Sequence, residues 1–156
     1  MTQTRENESA GNEIRIVRTF DAPRERVFRE WIEPESVAAW FAPDGYEVTA
    51  SETEPHPGGK WKVHFVSTKK GNGYTEFGEY IEVHAPEKLV FSLTQRADDG
   101  SSGPRTVVRV HLADMGLRTE MTFVQTGFTS ASQRNGNAEG WGECFGKLER
   151  QLAAKT

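Results

Sequence analysis

The feature that most constrains this chain is a run of alternating segments flanked by helical ones. Segments 46–54, 60–67, 74–84, 88–95, 106–113 and 117–125 place apolar and polar residues at alternate positions. Trp61, Val63 and Phe65 oppose Lys60, Lys62 and His64, and Leu89, Phe91 and Leu93 share a face. Val108, Val110 and Leu112 oppose Arg109 and His111. Leu117, Met121, Phe123 and Gln125 oppose Arg118, Glu120 and Thr122. Side chains alternate across a strand, so the pattern predicts an antiparallel sheet with one wet face. Turn-rich stretches at 69–73 and 98–103 join strands in sequence and predict a meander. Segment 74–84 is ambiguous, because Phe77, Ile81 and Val83 compete with Tyr80 for the inner face. Glu79 and Glu82 fall on opposite faces under simple alternation, so they are not read as a carboxylate pair.

Ahead of these segments, residues 13–20 read as a first strand with Ile14, Ile16 and Phe20 on one side. Arg18 shares that side. It reads either as a strand end near solvent or as a paired charge at a cavity wall. Asp21-Ala22-Pro23 starts a helix, with Asp21 or Ala22 at the cap and Pro23 in the first turn, where no amide partner is needed. Val27, Phe28, Trp31 and Ile32 form its buried face. Pro34 ends that helix and starts a second, which runs to Trp40-Phe41 and stops at Ala42-Pro43-Asp44-Gly45. At the other end, residues 138–154 predict a long helix with Trp141, Phe145, Leu148 and Leu152 in one stripe. Glu143 and Lys147 are spaced to pair on its surface. Gly140, Gly142 and Gly146 are costly in a helix, roughly 1 kcal/mol each relative to Ala. Gly142 and Gly146, one turn apart, read either as a close-packing contact or as room for a ligand.

This order predicts an α+β chain. A curved antiparallel sheet of about seven strands wraps a long C-terminal helix, with two short helices after the first strand. One long helix with one apolar stripe cannot fill a strongly twisted sheet. The remaining space becomes an apolar pocket, and such pockets bind small molecules. Nine Phe, four Trp and three Tyr supply its wall. The lining is assigned to Trp40, Phe41, Trp61, Val63, Phe65, Phe91, Met121, Phe123, Gln125, Phe128, Trp141 and Phe145. Each aromatic among them also reads as plain core.

Charge and composition narrow the function classes. Hydrophobic residues make 35% and charged residues 27% of the chain, a globular mix. The length fits one domain, placed at 13–156, after a polar tail at 1–12 expected to be disordered. That tail has no apolar core, so it is not read as a secretory signal. With Cys144 as the sole cysteine, a reducing, cytoplasmic setting is expected. Net charge is −4 and the basic residues are scattered, which argues against a nucleic-acid partner. No apolar run is long enough for membrane insertion. Monomer and dimer both fit.

The search for chemistry yields no catalytic residue, metal ligand or cofactor motif. His56, His64, His84 and His111 are far apart, with no metal-binding spacing. His64 and His111 fall on outer faces. Gly100-Ser101-Ser102-Gly103 is not a nucleophile elbow. Gly136 and Gly140 match a G-x-x-x-G spacing but not in an apolar membrane segment. Cys144 lies beside the buried stripe and reads as a small apolar side chain.

Several motifs together resemble a known family. They are Phe20-Asp21-Ala22-Pro23-Arg24 with Val27-Phe28, then Trp31, Pro34 and Trp40-Phe41-Ala42-Pro43. Pro57-Gly58-Gly59-Lys60-Trp61 follows, then Glu82 with Pro86-Glu87-Lys88-Leu89-Val90-Phe91. Thr126-Gly127-Phe128, Gly140-Trp141 and Leu148 close the series. In order and spacing over about residues 13–154, they resemble the AHSA1-like branch of the START/Bet v 1-like superfamily, named for the activator of the Hsp90 ATPase. The resemblance implies the helix-grip fold described above. It also implies binding of lipids or other apolar small molecules, since members with known roles mostly do this. The wider superfamily includes cyclases and dehydratases, and the namesake is a chaperone accessory; these are the alternatives. The chain departs at Gln125, where the family often has His. An amide can orient a ligand but cannot shuttle a proton near neutral pH. The leading expectation is a small apolar or aromatic ligand, lipid or polyketide-like, with Gln125 and Arg18 at its polar end.

Overall fold

The structure, a computed structural model, describes residues 4–6 and 12–154. Its elements in order are β1 (Thr4–Glu6), β2 (Ile14–Phe20), α1 (Arg24–Ile32), α2 (Pro34–Trp40), β3 (Tyr46–Thr53), β4 (Lys60–Ser67), β5 (Gly73–His84), β6 (Lys88–Ala97), β7 (Thr106–Met115), β8 (Arg118–Thr126) and α3 (Ala131–Ala154). The strands form one antiparallel sheet in the order β1-β2-β8-β7-β6-β5-β4-β3. From β3 to β8 it is the meander the alternation implies. β2 joins it through β8, with Ile14 opposite Gln125 and Phe20 opposite Thr119. β2 and β3 therefore lie far apart in the sheet, and α1 and α2 make the crossing between them. β1 is an addition to the expected seven strands. It occupies part of the stretch read as a disordered tail, whose other residues, apart from Asn12, fall outside those described.

Several local expectations are corrected. Pro23 itself is the N-cap of α1, with no side-chain cap, and its carbonyl accepts from Arg26 and Val27 amides at 3.0 and 3.2 Å. α3 starts seven residues earlier than its apolar stripe suggests, because its first turns are polar. A cap explains the start: the Gln133 amide donates to Ser130 Oγ at 3.2 Å, and Gln133 Oε1 accepts from the Thr129 amide and hydroxyl. Leu117 does not join the inner face; it sits on the turn before β8 and is 83% exposed. Thr119 takes the buried position instead, its hydroxyl donating to the Ala22 carbonyl at 2.7 Å.

The ambiguity in β5 resolves through a bulge. Its register against β6 shifts between Tyr80 and Glu82. Tyr74, Glu76 and Tyr80 share the inner phase up to that point, and Val83 takes it afterwards. One extra residue reverses the alternation. Phe77 is left on the outer face beneath the Arg96 guanidinium, 4.8 Å from its ring centre. The bulge also brings Glu82 to the same outer face as Glu79, against simple alternation. Glu82 pairs there with Lys88 and His84 at 3.2 and 3.3 Å. In the Pro57-Gly58-Gly59 turn, a side chain at Gly59 would lie 2.0 Å from the Glu54 carbonyl oxygen, so only glycine fits.

The core is a block of aromatic rings between sheet and helices. Trp31 of α1 and Trp40 of α2 meet edge to face at 4.8 Å. Phe123 of β8 lies 4.6 Å from Trp141 and 5.3 Å from Phe145, both on α3. Such pairs add about 0.5–1.5 kcal/mol each beyond burial. The indole N–H groups of Trp40, Trp61 and Trp141 all find acceptors, namely Glu30 O, Ser92 O and Gln125 Oε1.

Candidate functional site

Beneath the N-terminal half of α3 the packing opens. A cavity of about 220 Å³ lies there, walled by Phe41, Pro43, Tyr46, Phe65 and Tyr74 on one side and Gly136, Asn137, Gly140, Trp141 and Cys144 of α3 on the other. Glu76 and Gln95 supply its charged and amide groups. The space exists because α3 presents glycine there. A Cβ built at Gly136 or Gly140 would meet no atom within 4 Å. The G-x-x-x-G spacing is thus part of the cavity wall. Gly142 and Gly146 do not line it. The Gly142 carbonyl instead accepts from Arg18 Nη1 at 3.4 Å.

α3 also fixes the rim. Glu143 and Lys147 do not pair with each other as their spacing suggests. Lys147 Nζ donates to the Ala42 carbonyl at 2.6 Å and the Pro43 carbonyl at 3.2 Å, while Glu143 Oε1 accepts from the Asp44 amide at 3.0 Å. Together they clamp the loop after α2, which carries Phe41 and Pro43 to the cavity.

Glu76 is the chemical centre of the wall. Its side chain points inward from β5 and is 9% exposed. Gln95 Nε2, from the neighbouring β6, donates to its Oε2 at 2.9 Å. Burial pushes the carboxyl up to about 7, against the opposing pull of the Gln95 bond. Beside it, Cys144 is driven upward by burial and then by the negative charge of Glu76, so it stays a thiol.

The structure distributes the expected lining residues over several places. Phe41, Phe65 and Trp141 line the main cavity. Gln125 and Phe128 line a neighbouring one of about 100 Å³, which Gln95 and Asn137 also border. Trp61 and Phe91 border a void of about 10 Å³, the limit for one water. Trp40, Val63, Met121, Phe123 and Phe145 line none of these cavities and have no exposed surface; they fill the core. Gln125 is committed within the protein. Its Oε1 accepts from the Trp141 indole at 2.8 Å, and its Nε2 donates to Thr106 Oγ1 at 2.9 Å. It holds the Trp141 ring at the cavity wall. Arg18 faces α3, pairing with Glu149 at 3.0 Å, and does not line the main cavity.

Sequence reasoning misses Tyr46, Tyr74, Glu76 and Gln95. The signal for two of them is in β5: Tyr74 and Tyr80 are an even number of positions apart, which puts Glu76 between them in phase. Phe77 masks it. His64 lies on the outer face, where Nδ1 meets Thr49 Oγ1 at 2.6 Å and Nε2 meets Asp98 Oδ1 at 3.1 Å. This row resembles a nucleophile relay, but none of the three side chains borders a cavity described above. A wider open groove of about 720 Å³ runs past Glu52, Glu54, Lys60 and Lys62. Trp61 and Phe77 line it together with these charged side chains, and Lys62 pairs with Glu52 there at 3.9 Å. Among the described residues, no cluster of His, Cys, Asp or Glu could hold a metal ion, and no helix is long and apolar enough to cross a membrane.

A curled antiparallel sheet gripping a long C-terminal helix, with a cavity between them, defines the Bet v 1-like helix-grip class. Solved structures agree. A crystal structure of a protein from Chromobacterium violaceum superposes with a TM-score of 0.82 at 26% identity, covering 90% of this chain and 96% of that one. A solution structure of a protein from Arthrobacter aurescens gives 0.83 at 25%, covering 97% and 91%. The AHSA1 protein of Silicibacter pomeroyi gives 0.82 at 21%, covering 92% and 99%, and shows the shared fold. No curated protein matches the chain. The family described as "Activator of Hsp90 ATPase homolog 1-like protein" matches residues 21–153, most of the chain. The chain belongs to this AHSA1-like family.

Proposed function

We propose that the protein binds a small apolar or aromatic molecule in the cavity under the N-terminal half of α3. The observation that carries this reading is the cavity of about 220 Å³, walled by rings and held open by Gly136 and Gly140. Its size lies below the roughly 300–1,000 Å³ of drug-sized sites, so it suits a compact ligand rather than a long lipid. Phe41, Phe65 and Trp141 supply apolar contact, and Glu76 with Gln95 fixes orientation. Gln125 acts one step back, through Trp141.

A panel of compact aromatic and aliphatic compounds, followed by tryptophan fluorescence and thermal shift, tests this. A ligand at one hundred times its Kd stabilises the fold by about 2.7 kcal/mol. Gly140→Leu, which fills the space, is expected to abolish the shift without unfolding the chain. No response to any compound, in a chain that melts cooperatively, contradicts the proposal.

One observation favours a second reading, catalysis within the same cavity. Glu76, buried on the cavity wall, has its carboxyl pushed up to about 7, within the range a general acid–base group requires. Consumption of a bound ligand, lost in Glu76→Gln while binding persists, would establish it.

A further inference from the structure

Glu76 is an ionisable group whose charge the fold does not balance. Arg18, also largely buried, has Glu149 at 3.0 Å. Among the described residues, by contrast, no Lys, Arg or His forms an ion pair with Glu76, and its one hydrogen-bonding partner is the neutral Gln95 amide. Burying a carboxyl against apolar walls without a cation costs stability. The Gln95 bond uses Oε2, which leaves Oε1 for whatever enters the cavity.

The surroundings specify what that is. Phe65, Tyr74, Tyr46 and Trp141 turn aromatic rings to the same space. Ring faces carry partial negative charge and attract cations, the more so in a desolvated site. A carboxyl group within a ring-lined cavity therefore favours a cation on an apolar body. The other titratable side chains on the wall are Tyr46, Tyr74 and Cys144, and none of them is cationic. A ligand carboxylate would face Glu76 with like charge.

We infer that the cavity selects small aromatic or aliphatic amines, bound as the ammonium with Glu76 as counter-ion and the apolar body against Phe65 and Trp141. This rests on the small-molecule reading above and names its ligand class. Binding needs Glu76 ionised. Below about pH 7 the carboxyl holds a proton in the empty protein, and the ammonium must displace it to solvent.

Calorimetric titration of the full chain with 2-phenylethylamine, 2-phenylethanol and 3-phenylpropionate tests the inference. At pH 8 the amine is expected to bind at least about tenfold tighter than the alcohol, and the acid weakest. Glu76→Gln should remove the amine's advantage over the alcohol, with a melting curve confirming its fold. Moving the wild type from pH 8 to pH 6 should weaken the amine about tenfold and leave the alcohol alone. The inference is overturned if the alcohol matches the amine and Glu76→Gln changes neither. In that case, loss of both in Gly140→Leu would leave the small-molecule reading standing. Silence from all three compounds overturns the amine inference, and silence from the wider panel as well overturns the reading beneath it.

Discussion

α3 meets the interior in two ways along its length. From Phe145 onward it presents Phe145, Leu148 and Leu152, at most 2% exposed, and the space beneath is filled by rings from α1, α2 and β8. Before Trp141 it presents Gly136 and Gly140, and a cavity of about 220 Å³ remains. The helix backbone continues through both halves; the side chains decide which half closes. The polar groups differ in the same sense. In the closed half Arg18 and Glu149 pair, whereas in the open half Glu76 faces the cavity with no cation paired to it among the described residues. Both the glycines and the carboxyl lower the stability of the open half, which supports the binding proposed for it.

The largest expected effect lies in the closed half. Phe145→Ala removes a ring in contact with Trp31, Trp40, Phe123 and Trp141 and should cost about 3–5 kcal/mol in urea unfolding. A loss under 1 kcal/mol would show that this half is not solid. Next comes Glu76. Its carboxyl titrates at about 7 in the fold against 4.5 for the free group, so the folded state holds the extra proton between those values. Stability from this site is full below pH 4.5 and is lost as pH rises through 7. Glu76→Gln should therefore stabilise the protein by about 3 kcal/mol at pH 8 and by little near pH 4.5. A destabilised variant at pH 8 would mean that Glu76 has a cationic partner. The smallest effect is Gly140→Ala. It should add about 1 kcal/mol to stability while weakening ligand binding. A stability loss there would mean the space above Gly140 is already occupied.

These same differences explain what the sequence could tell. The alternation of Trp61, Val63 and Phe65 and the stripe from Trp141 to Leu152 are long and periodic, so the strands and the helix grip follow from them. The expected cavity exists, but not in the middle, where Phe91, Phe123 and Phe145 were its natural walls. The long rings of Trp31 and Trp40 reach across and fill that region, and reach is not written in periodicity. Glu76 stayed hidden because the bulge after Tyr80 reverses the phase of β5, so Phe77, Ile81 and Val83 cannot all be inward. The start of α3 carried a readable cap in Ser130 and Gln133, masked by the absence of apolar residues behind it. Glu143 and Lys147 illustrate the limit of spacing rules: the loop at 42–44 comes close enough to take both side chains.

The most direct test of the open half as a ligand site is a nuclear magnetic resonance titration with 2-phenylethylamine at pH 8, following backbone amides. The account predicts saturable shifts at Glu76, Gln95, Gly136 and Gly140, with Leu148 and Leu152 still. Shifts spread evenly over both halves, or none at the glycines at saturating compound, would contradict it.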